Sequence, residues 1–290
     1  MKSHLAGIVP VTGIRTDFNM PWHASLMPIG PNYLAVERSV AECAYAGCDT
    51  IWVVCGDEVA PLIRYQLGEK IQDPVYSYRH FETNKTDVRK PIRIYYVPVA
   101  IKDINKRDNL AWSAIHGAQV SHNILKSLSV HLAPKRFYIS WPYGYYNPRV
   151  VRPNRKTISS EDVVLQHDNK TIANNCYLGM SIGLDHISQL VSESISTSSG
   201  LWNEDRSSRL PLEERYSYKN YNLQTVFKNL DFSNFKKIEA EDYMAIDCWQ
   251  QYCQFLSIYK EIKKPTILRY SEWNETGLDD VQPFYEPPKR

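Results

Sequence analysis

The sequence predicts an α/β fold with a Rossmann-like, mainly parallel mixed sheet flanked by helices. Residues 4–11 form a short apolar run that ends at Thr12, which is typical of a buried strand entering a tight loop. Residues 32–46 carry apolar side chains at helical spacing and precede Gly47, a common helix stop. Residues 51–54 form a second buried strand. Because strand, helix and strand make a βαβ unit, we expect a parallel sheet with ligands at the carboxyl ends of its strands.

The rest of the chain continues this alternation of strands and helices. Helices are predicted over residues 60–67, 108–125, 185–193 and 248–262, and strands over residues 93–99, 136–140, 163–165 and 174–182. We expect Asp108 to cap the second of these helices and Ile124 to lie on its buried stripe. Cys253, Leu256 and Tyr259 are expected to pack the last helix against the core.

Polar stretches separate these elements and bound the domain. Residues 73–90 are predicted to form an irregular loop, and residues 194–209 a Ser-rich flexible stretch. Residues 147–160 hold four basic side chains and no acidic one, which favours a solvated, mobile loop over a patch that meets phosphate or an acidic partner. No second core is evident, so we predict one domain over residues 1–262 and a docking extension over residues 263–290.

The charge and cysteine content narrow the function classes. With 34 basic and 32 acidic residues the formal charge is +2, which gives no general case for nucleic-acid or membrane binding. No apolar run approaches the ~18 residues of a membrane span, so we expect a soluble, cytoplasmic protein. The six cysteines include no C-x-x-C pair, which favours reduced core cysteines over a disulfide framework or a zinc site.

Tyrosine is unusually common in this chain. The 290 residues include 20 tyrosines and 7 tryptophans, side chains that are favoured where one end is buried and the other is hydrated. This content indicates protein partners or self-association through a tyrosine-rich surface, or stacking on a sugar. A tyrosine-rich composition without functional meaning is the third interpretation.

Motifs in the first 54 residues resemble one known family. The stretches that carry the resemblance are Pro10-Val11-Thr12-Gly13, Leu26-Met27-Pro28-Ile29-Gly30, Ala46-Gly47 and Ile51-Trp52-Val53-Val54. They resemble the loop start, the L-x-P-x-G stretch, the helix end and the second strand of the nucleotidyltransferases of the GT-A-like fold. Those enzymes join a nucleoside triphosphate to a sugar phosphate or a sugar alcohol phosphate. The resemblance spans residues 4–262 and implies the GT-A-like nucleotidyltransferase fold, with a nucleotide and a sugar phosphate as partners.

The resemblance implies a triphosphate site in the loop after the first strand. Thr12 and Gly13 match loop residues whose backbone N–H groups face phosphate oxygens. Arg15 can serve as the family's loop arginine and His23 lies near the position of its lysine, so the resemblance implies a catalytic role for both. Arg15 takes that role only if the alignment slips by one residue. The gapless alignment places Asp17 on the loop arginine and Ala24 on the lysine, and alanine cannot replace an ammonium group. A retained structural turn is the alternative interpretation.

Further stretches resemble the base-reading, acceptor and metal sites of the family. Asn109 and Leu110 fall where the family reads the nucleobase, whereas Asn175 and Gly179 are loose matches to its acceptor-binding stretch. Asp247 matches the second metal-binding carboxylate, which implies Mg²⁺ if the protein is catalytically active. Helix capping is the alternative role for this aspartate.

The first metal-binding carboxylate of the family has no counterpart here. The family's middle strand ends in an aspartate, whereas residues 136–140 run into Trp141-Pro142-Tyr143-Gly144-Tyr145-Tyr146. This aromatic turn could stack on a base or a sugar ring, or pack against a partner chain.

The sequence therefore supports two hypotheses. In the first, the chain is an enzyme in which a sugar phosphate attacks the α-phosphate of a nucleoside triphosphate and pyrophosphate leaves. In the second, the fold is retained in a non-catalytic binding or structural subunit of a larger assembly, such as a virus particle, which would place the protein in the virion. The missing lysine and strand-end aspartate favour the second hypothesis, and Asp247 favours the first. A GT-A glycosyltransferase would need an Asp-x-Asp motif after the middle strand, and that motif is absent.

Overall fold

A computed structural model describes residues 4–12, 22–74, 91–104, 109–196, 208 and 222–265. The strands in chain order are β1 (Leu5–Pro10), β2 (Pro28–Gly30), β3 (Tyr33–Leu34), β4 (Thr50–Val54), β5 (Lys70–Gln72), β6 (Pro91–Val97), β7 (Arg136–Ile139), β8 (Gly144–Tyr145), β9 (Val163–Gln166), β10 (Met180–Gly183), β11 (Lys236–Glu239) and β12 (Met244–Ala245). The α-helices are α1 (Ala35–Ala46), α2 (Ala60–Leu67), α3 (Ile101–Ile104), α4 (Leu110–Leu128), α5 (Arg155–Ser160), α6 (Leu184–Ser196), α7 (Leu223–Phe227) and α8 (Trp249–Ile258).

Eight of these strands form one mixed sheet, in the order β11-β9-β10-β7-β1-β4-β6-β5. Only β5 and β10 run antiparallel to their neighbours within it. The carboxyl ends of β1, β4, β6, β7, β9 and β11 therefore lie along one edge, which we call the carboxyl edge. The predicted α/β fold with a mainly parallel sheet flanked by helices is confirmed.

The sheet separates two apolar cores. Alternate side chains of β1 enter opposite cores, because successive residues of a strand point to opposite faces of the sheet. Ala6 and Ile8 pack on the side of α4, whereas Leu5 and Val9 pack on the side of α1. Burial on both faces explains why the central strands are apolar runs without polar alternation.

The predicted βαβ unit forms close to its expected bounds. Helix α1 follows β1 and ends at Gly47, whose φ of +91° is the left-handed conformation that glycine adopts at little cost. Strand β4 then pairs in parallel with β1, from Ala6 opposite Thr50 to Pro10 opposite Val54.

Two predicted helices differ in detail from the structure. Asp108 was expected to cap α4, but the cap is Asn109, whose side-chain oxygen accepts from the backbone N–H of Trp112. The side chain of Ile124 is 46% exposed, because it lies on the flank of the buried stripe of α4. In α8 the buried residues are Tyr252 and Phe255, and the predicted Cys253 and Leu256 are exposed. Tyr259, the third predicted residue, does pack against the core, with its ring 5.2 Å from that of Phe255.

The basic segment over residues 147–160 is helical rather than a solvated loop. It forms a 3₁₀ helix over Pro148–Asn154 and then α5. The Arg155 guanidinium lies 2.8 Å from a carboxylate oxygen of Asp73, and the Arg149 Nε donates to the Tyr45 hydroxyl at 3.4 Å. These contacts hold two of the four cations against the protein.

The strand predicted over residues 174–182 begins only at Met180. Upstream of it, Ile172–Asn174 form a 3₁₀ turn that Thr171 caps, and Asn175 leaves this turn with a left-handed φ of +59°. Local hydrogen bonds of the Thr and Asn side chains therefore compete with the extended conformation here.

The structure also shows where the cysteines and several of the tyrosines lie. All six cysteines are free thiols, and Cys43, Cys48, Cys55 and Cys176 are buried. Several tyrosines that were expected at a surface lie in the core, among them Tyr33, Tyr138, Tyr143 and Tyr146. No helix in the described part of the chain has the length and hydropathy of a membrane span. The predicted loops over residues 73–90 and 194–209 lie almost wholly outside the described residues, and the domain boundary at residue 262 stays a prediction.

Candidate functional site

Val11 and Thr12, the described residues directly after β1, lie at the carboxyl edge. The Thr12 hydroxyl lies 2.6 Å from the Ser113 hydroxyl, so this segment is tied to the first turn of α4. The Val11 carbonyl accepts a hydrogen bond from the Tyr143 hydroxyl at 2.6 Å. Gly13 and Arg15, the other two predicted loop residues, lie outside the described part of the chain.

His23 serves as a helix cap. Its Nδ1 accepts from the backbone N–H of Ser25, at the start of the 3₁₀ helix Ala24–Leu26. Burial lowers the pKa of His23 below its ordinary value. The negative charge of Glu58 raises this pKa, but its effect is the smaller of the two. The imidazole is therefore neutral near pH 7 and supplies no positive charge in place of the family's lysine. Ala24, at the lysine position itself, is buried.

Asn109 and Leu110 lie at the same edge because they begin α4. The Asn109 Oδ1 accepts from the Trp112 N–H at 2.8 Å, and its backbone carbonyl accepts from the Ser113 hydroxyl at 3.1 Å. Both Asn109 and Leu110 are buried. The structure thus brings Thr12 and Asn109 together through Ser113, with the Asn109 side chain committed to capping.

The two predicted acceptor-binding residues have different surroundings. Asn175 is exposed, and its Oδ1 accepts from the backbone N–H of Gln224 at 2.8 Å, which fixes the start of α7. Gly179 is buried, and a Cβ added to it would lie 2.3 Å from Glu42 Oε1 and 2.5 Å from the Tyr138 hydroxyl. This burial argues against direct contact between Gly179 and an acceptor.

Below the carboxyl edge lies a buried charge cluster that the sequence analysis missed. Glu42 and Arg38 lie one turn apart on α1, both side chains are fully buried, and their charged groups are 2.9 Å apart. The Glu42 carboxylate also accepts from the hydroxyls of Tyr138, Tyr146 and Ser140, at 2.5, 2.6 and 2.6 Å. The signal available in the sequence was an Arg–Glu pair at i and i+4 in a helix whose other residues, apart from Glu37 and Tyr45, are small or apolar.

Arg38 connects this cluster to the turn after β7. Its Nη2 donates to the Trp141 carbonyl at 2.5 Å, and its guanidinium lies over the Tyr146 ring, 4.6 Å from the centroid. Burial alone would lower the pKa of Arg38, but Glu42, Tyr146 and Tyr33 hold it above its usual value. Arg38 is therefore a permanent buried cation that fixes the Trp141 carbonyl.

The aromatic turn after β7 belongs to the core. Trp141, Tyr143 and Tyr146 are almost fully buried, and the Tyr143 hydroxyl is committed to Val11. These three side chains therefore do not form the exposed stacking surface that the sequence left open. Residues 141–146 include no acidic side chain, so this turn offers no carboxylate to a metal.

Asp247 lies at the carboxyl edge but does not cap α8. The cap residue is Cys248, so the capping role considered for Asp247 is wrong. Instead, Asp247 Oδ2 accepts from the Tyr177 hydroxyl at 3.0 Å. Burial, reinforced by Asp247, raises the pKa of Tyr177, so this phenol stays protonated and donates. The Tyr177 ring lies 5.8 Å from the Tyr143 ring, which links Asp247 to the loop after β1.

The described residues at the family's metal position do not fit Mg²⁺ well. Mg²⁺ usually binds through one or two carboxylates and retains several waters. Asp247 supplies one carboxylate, which the Tyr177 hydroxyl already occupies in part, and the turn after β7 contains no acidic residue. Among the described residues, the group of three or more potential metal ligands is instead His167, Asp168 and Glu239, farther along the same edge.

Comparisons with solved structures identify the fold. The chain is similar to a putative glucose-1-phosphate thymidylyltransferase from Bacillus anthracis, with 10% identity, a TM-score of 0.51, and coverage of 90% of this chain and 97% of that one. It is similar to 4-diphosphocytidyl-2C-methyl-D-erythritol synthase from Anaerococcus prevotii, with 8% identity, a TM-score of 0.51 and coverage of 90% and 97%. It is also similar to a UDP-glucose pyrophosphorylase solved with UDP-glucose, with 13% identity, a TM-score of 0.50 and coverage of 89% and 98%.

Comparisons by sequence add no relative. No protein-family model matches the chain, and no curated protein matches it. Because the three structures above share only 8–13% sequence identity with this chain, the similarity is one of fold. The motifs near the start of the chain, the sheet with its carboxyl edge, and these structures agree. The chain has the nucleotidyltransferase fold.

Proposed function

We propose that this protein binds a nucleotide or a nucleotide sugar at the carboxyl edge and that its capacity for nucleotidyl transfer is impaired. The observation that carries the proposal is the turn after β7. Arg38 donates to the Trp141 carbonyl and the Tyr143 hydroxyl donates to the Val11 carbonyl, so the turn is closed by bonds within the protein. A buried turn without an acidic residue occupies the place where a transferase of this fold presents a metal-binding carboxylate.

Binding is supported by the polar groups that remain at the edge. The half-buried Thr12 lies where the loop after β1 begins, and its hydroxyl is held by the buried Ser113 hydroxyl. The Tyr177–Asp247 pair lies beside the turn after β7. Hydroxyls and a carboxylate suit the ribose and sugar hydroxyls of a nucleotide sugar. Two structures of this fold were solved with UDP-glucose and with a sucrose, which supports the same class of ligand.

Weak catalysis follows from the charges at the edge. In-line attack on an α-phosphate develops negative charge that cations must offset. The family's lysine is replaced by Ala24, and the adjacent His23 is neutral because its pKa is lowered. Arg15 is the cation that the resemblance places in the loop, and Asp247 is the residue that would hold Mg²⁺ in an active form. The described residues around Asp247 offer Mg²⁺ a poor site, because the Tyr177 hydroxyl already occupies part of the single carboxylate.

Calorimetry with the four nucleoside triphosphates and UDP-glucose, paired with a pyrophosphate-release assay, tests this proposal. We expect saturable binding of at least one of these ligands and no pyrophosphate release above the protein-free background with mixed sugar phosphates. Thr12→Val keeps the shape of the side chain but removes the hydroxyl, and it should weaken binding about fivefold, the equivalent of one hydrogen bond. Thr157→Val, a half-buried position on α5, is the matched control and should bind as wild type does.

The outcomes separate the hypotheses. Steady pyrophosphate release that is lost in Asp247→Asn would establish an active transferase and overturn the proposal. If none of the tested ligands binds, the proposed nucleotide binding is wrong, and a structural subunit is favoured. That second function has one observation in its support. At the end of α4 lie four exposed apolar side chains, Ile124, Leu128, Val130 and Leu132.

A structural subunit would use this aliphatic surface rather than a tyrosine-rich one. Its signature would be self-association in sedimentation without nucleotide binding. A nucleotide-binding protein of this kind would be cytoplasmic, whereas a structural subunit of a virus particle would be located in the virion.

A further inference from the structure

We propose that His167, Asp168 and Glu239 form a binding site for a divalent first-row transition-metal cation. The site lies at the carboxyl ends of β9 and β11, outside the turn and loop where the fold's own metal would bind. One ligand atom from each residue can be chosen so that all three lie within 4.8 Å of one another. Small side-chain rotations bring such a set to the 2.0–2.2 Å ligand distances typical of zinc with His and carboxylate ligands.

The imidazole of His167 is oriented for metal binding. Its Nδ1 lies 2.7 Å from the Ala240 carbonyl, and because a carbonyl only accepts, the proton must be on Nδ1. Nε2 then carries the lone pair, and it lies 3.6 Å from Asp168 Oδ2. A histidine whose second nitrogen donates to a backbone carbonyl is the usual arrangement of a metal ligand, because that bond fixes the tautomer and the ring.

The two carboxylates are held beside this nitrogen by the backbone. Asp168 and Asn169 have left-handed φ angles of 49° and 62° in a tight turn that His167 and Lys170 close with two backbone hydrogen bonds. Glu239 lies across from Gln166 in the parallel pair of β9 and β11. Its carboxylate accepts from the Asp168 N–H at 3.2 Å and from the Gln166 side-chain amide at 2.9 Å. Each carboxylate oxygen keeps a lone pair for a cation.

The partly buried Gln166 side chain lies beside this cluster and contributes one further polar atom. The Gln166 Oε1 is buried and has no hydrogen-bond donor in the described structure. A buried amide oxygen without a donor is costly, and it is expected where a water or an ion completes the surroundings. The amide nitrogen of the same side chain binds Glu239, so this oxygen lies next to the proposed site.

The ligand set selects the class of cation. One imidazole with two carboxylates suits Zn²⁺ and Mn²⁺, whereas Mg²⁺ prefers oxygen ligands alone.

The proposed metal site is also connected to Asp247 at the carboxyl edge. The His167 ring lies 5.8 Å from the Tyr243 ring, and the Tyr243 hydroxyl accepts from the backbone N–H of Tyr177, whose own hydroxyl donates to Asp247.

Manganese titration of chelator-treated full-length protein tests this site. Mn²⁺ is the first probe, because the six thiols of the chain are poor ligands for it but good ligands for Zn²⁺. Free Mn²⁺ is measured by electron paramagnetic resonance, without nucleotide, and we expect one bound ion per chain. His167→Asn and Glu239→Gln should each weaken the affinity at least about tenfold. Glu161→Gln makes the same charge change at the opposite end of β9, and it should leave the affinity unchanged.

Asp168→Asn guards against loss of structure in these variants. The Asp168 side chain is 83% exposed, so this substitution leaves the fold intact while it removes one ligand. Reduced Mn²⁺ binding in Asp168→Asn with an unchanged circular dichroism spectrum would support the site. Absence of saturable binding, or equal binding by wild type and by the His167 and Glu239 variants, would overturn it. Because no nucleotide is present, this result is independent of the proposed nucleotide binding.

Discussion

Two glutamates in this protein show how the surroundings of a carboxylate determine its role. Glu42 is fully buried and accepts from three hydroxyls and from Arg38. Glu239 is exposed, at the end of an edge strand, and shares its surroundings with His167 and Asp168. The first carboxylate is surrounded by donors and has a fixed buried countercharge. The second accepts from the Asp168 N–H and the Gln166 amide at the surface, and no cation of the protein is described beside it.

This difference separates a structural cluster from a binding cluster. A buried carboxylate needs its donors at all times, because an unpaired charge in the core is very unfavourable. The Glu42 cluster therefore holds α1, β7 and the aromatic turn in one arrangement and leaves no space for a ligand. Exposed carboxylates beside a histidine lone pair are stable in water and become fully satisfied when a cation binds.

The largest expected effect on stability comes from neutralising Glu42 and Glu239, each in a separate variant. Glu42→Gln leaves the Arg38 guanidinium buried without a countercharge, and should lower the free energy of unfolding by about 3–5 kcal/mol. Glu239→Gln, the same chemical change at the surface, should alter it by less than about 0.5 kcal/mol. Urea denaturation of both variants measures the difference. Equal effects of the two substitutions would show that the comparison between the two glutamates is wrong.

A smaller effect is expected from filling the space beside Glu42. Gly179→Ala places a methyl group 2.3 Å from Glu42 Oε1 and 2.5 Å from the Tyr138 hydroxyl. Such overpacking should lower the free energy of unfolding by about 1–3 kcal/mol. In Gly183→Ala the new methyl lies 3.9 Å from Asp162, so stability should change by less than about 1 kcal/mol. If Gly179→Ala is as stable as wild type but fails to bind a sugar phosphate, the acceptor role predicted for Gly179 gains support over packing.

The smallest expected effect is the pH dependence that His23 contributes. The native pKa of His23 lies below the ordinary value of 6.5, chiefly because of burial, so the unfolded chain binds this proton more readily. The corresponding stability is fully present above pH 6.5 and is lost as the pH falls through the native pKa. His23→Asn keeps a capping acceptor but cannot titrate.

Unfolding free energies of wild type and His23→Asn between pH 7.5 and 5 measure this contribution. The wild type should lose more stability than the variant as the pH falls through this range. A wild-type curve that runs parallel to the curve of the variant would show that His23 is exposed and able to take up a proton in the native state. His23 would then be able to supply a positive charge near the position of the lysine that the resemblance implies.

Local pattern was sufficient for much of the fold. The β1–α1–β4 unit was predicted close to its true bounds, because hydrophobic period and a glycine stop are properties of a short stretch. The same local patterns placed Cys253 and Leu256 of α8 against the core, where the structure instead buries Tyr252 and Phe255. They also suggested a solvated loop at residues 147–160, where Arg155 instead pairs with Asp73, 82 positions earlier in the chain.

The sequence by itself determined the order of elements, the parallel sheet and the placement of Thr12, Asn109 and Asp247 at its carboxyl edge. These follow from where each residue stands relative to a strand end or a helix start. Only the tertiary structure decided what those residues contact. Asp247 meets Tyr177 across 70 positions of chain, Val11 meets Tyr143 across 132, and Glu42 meets Tyr146 across 104. Such pairings depend on how the sheet brings distant segments together, and no local period or spacing encodes them.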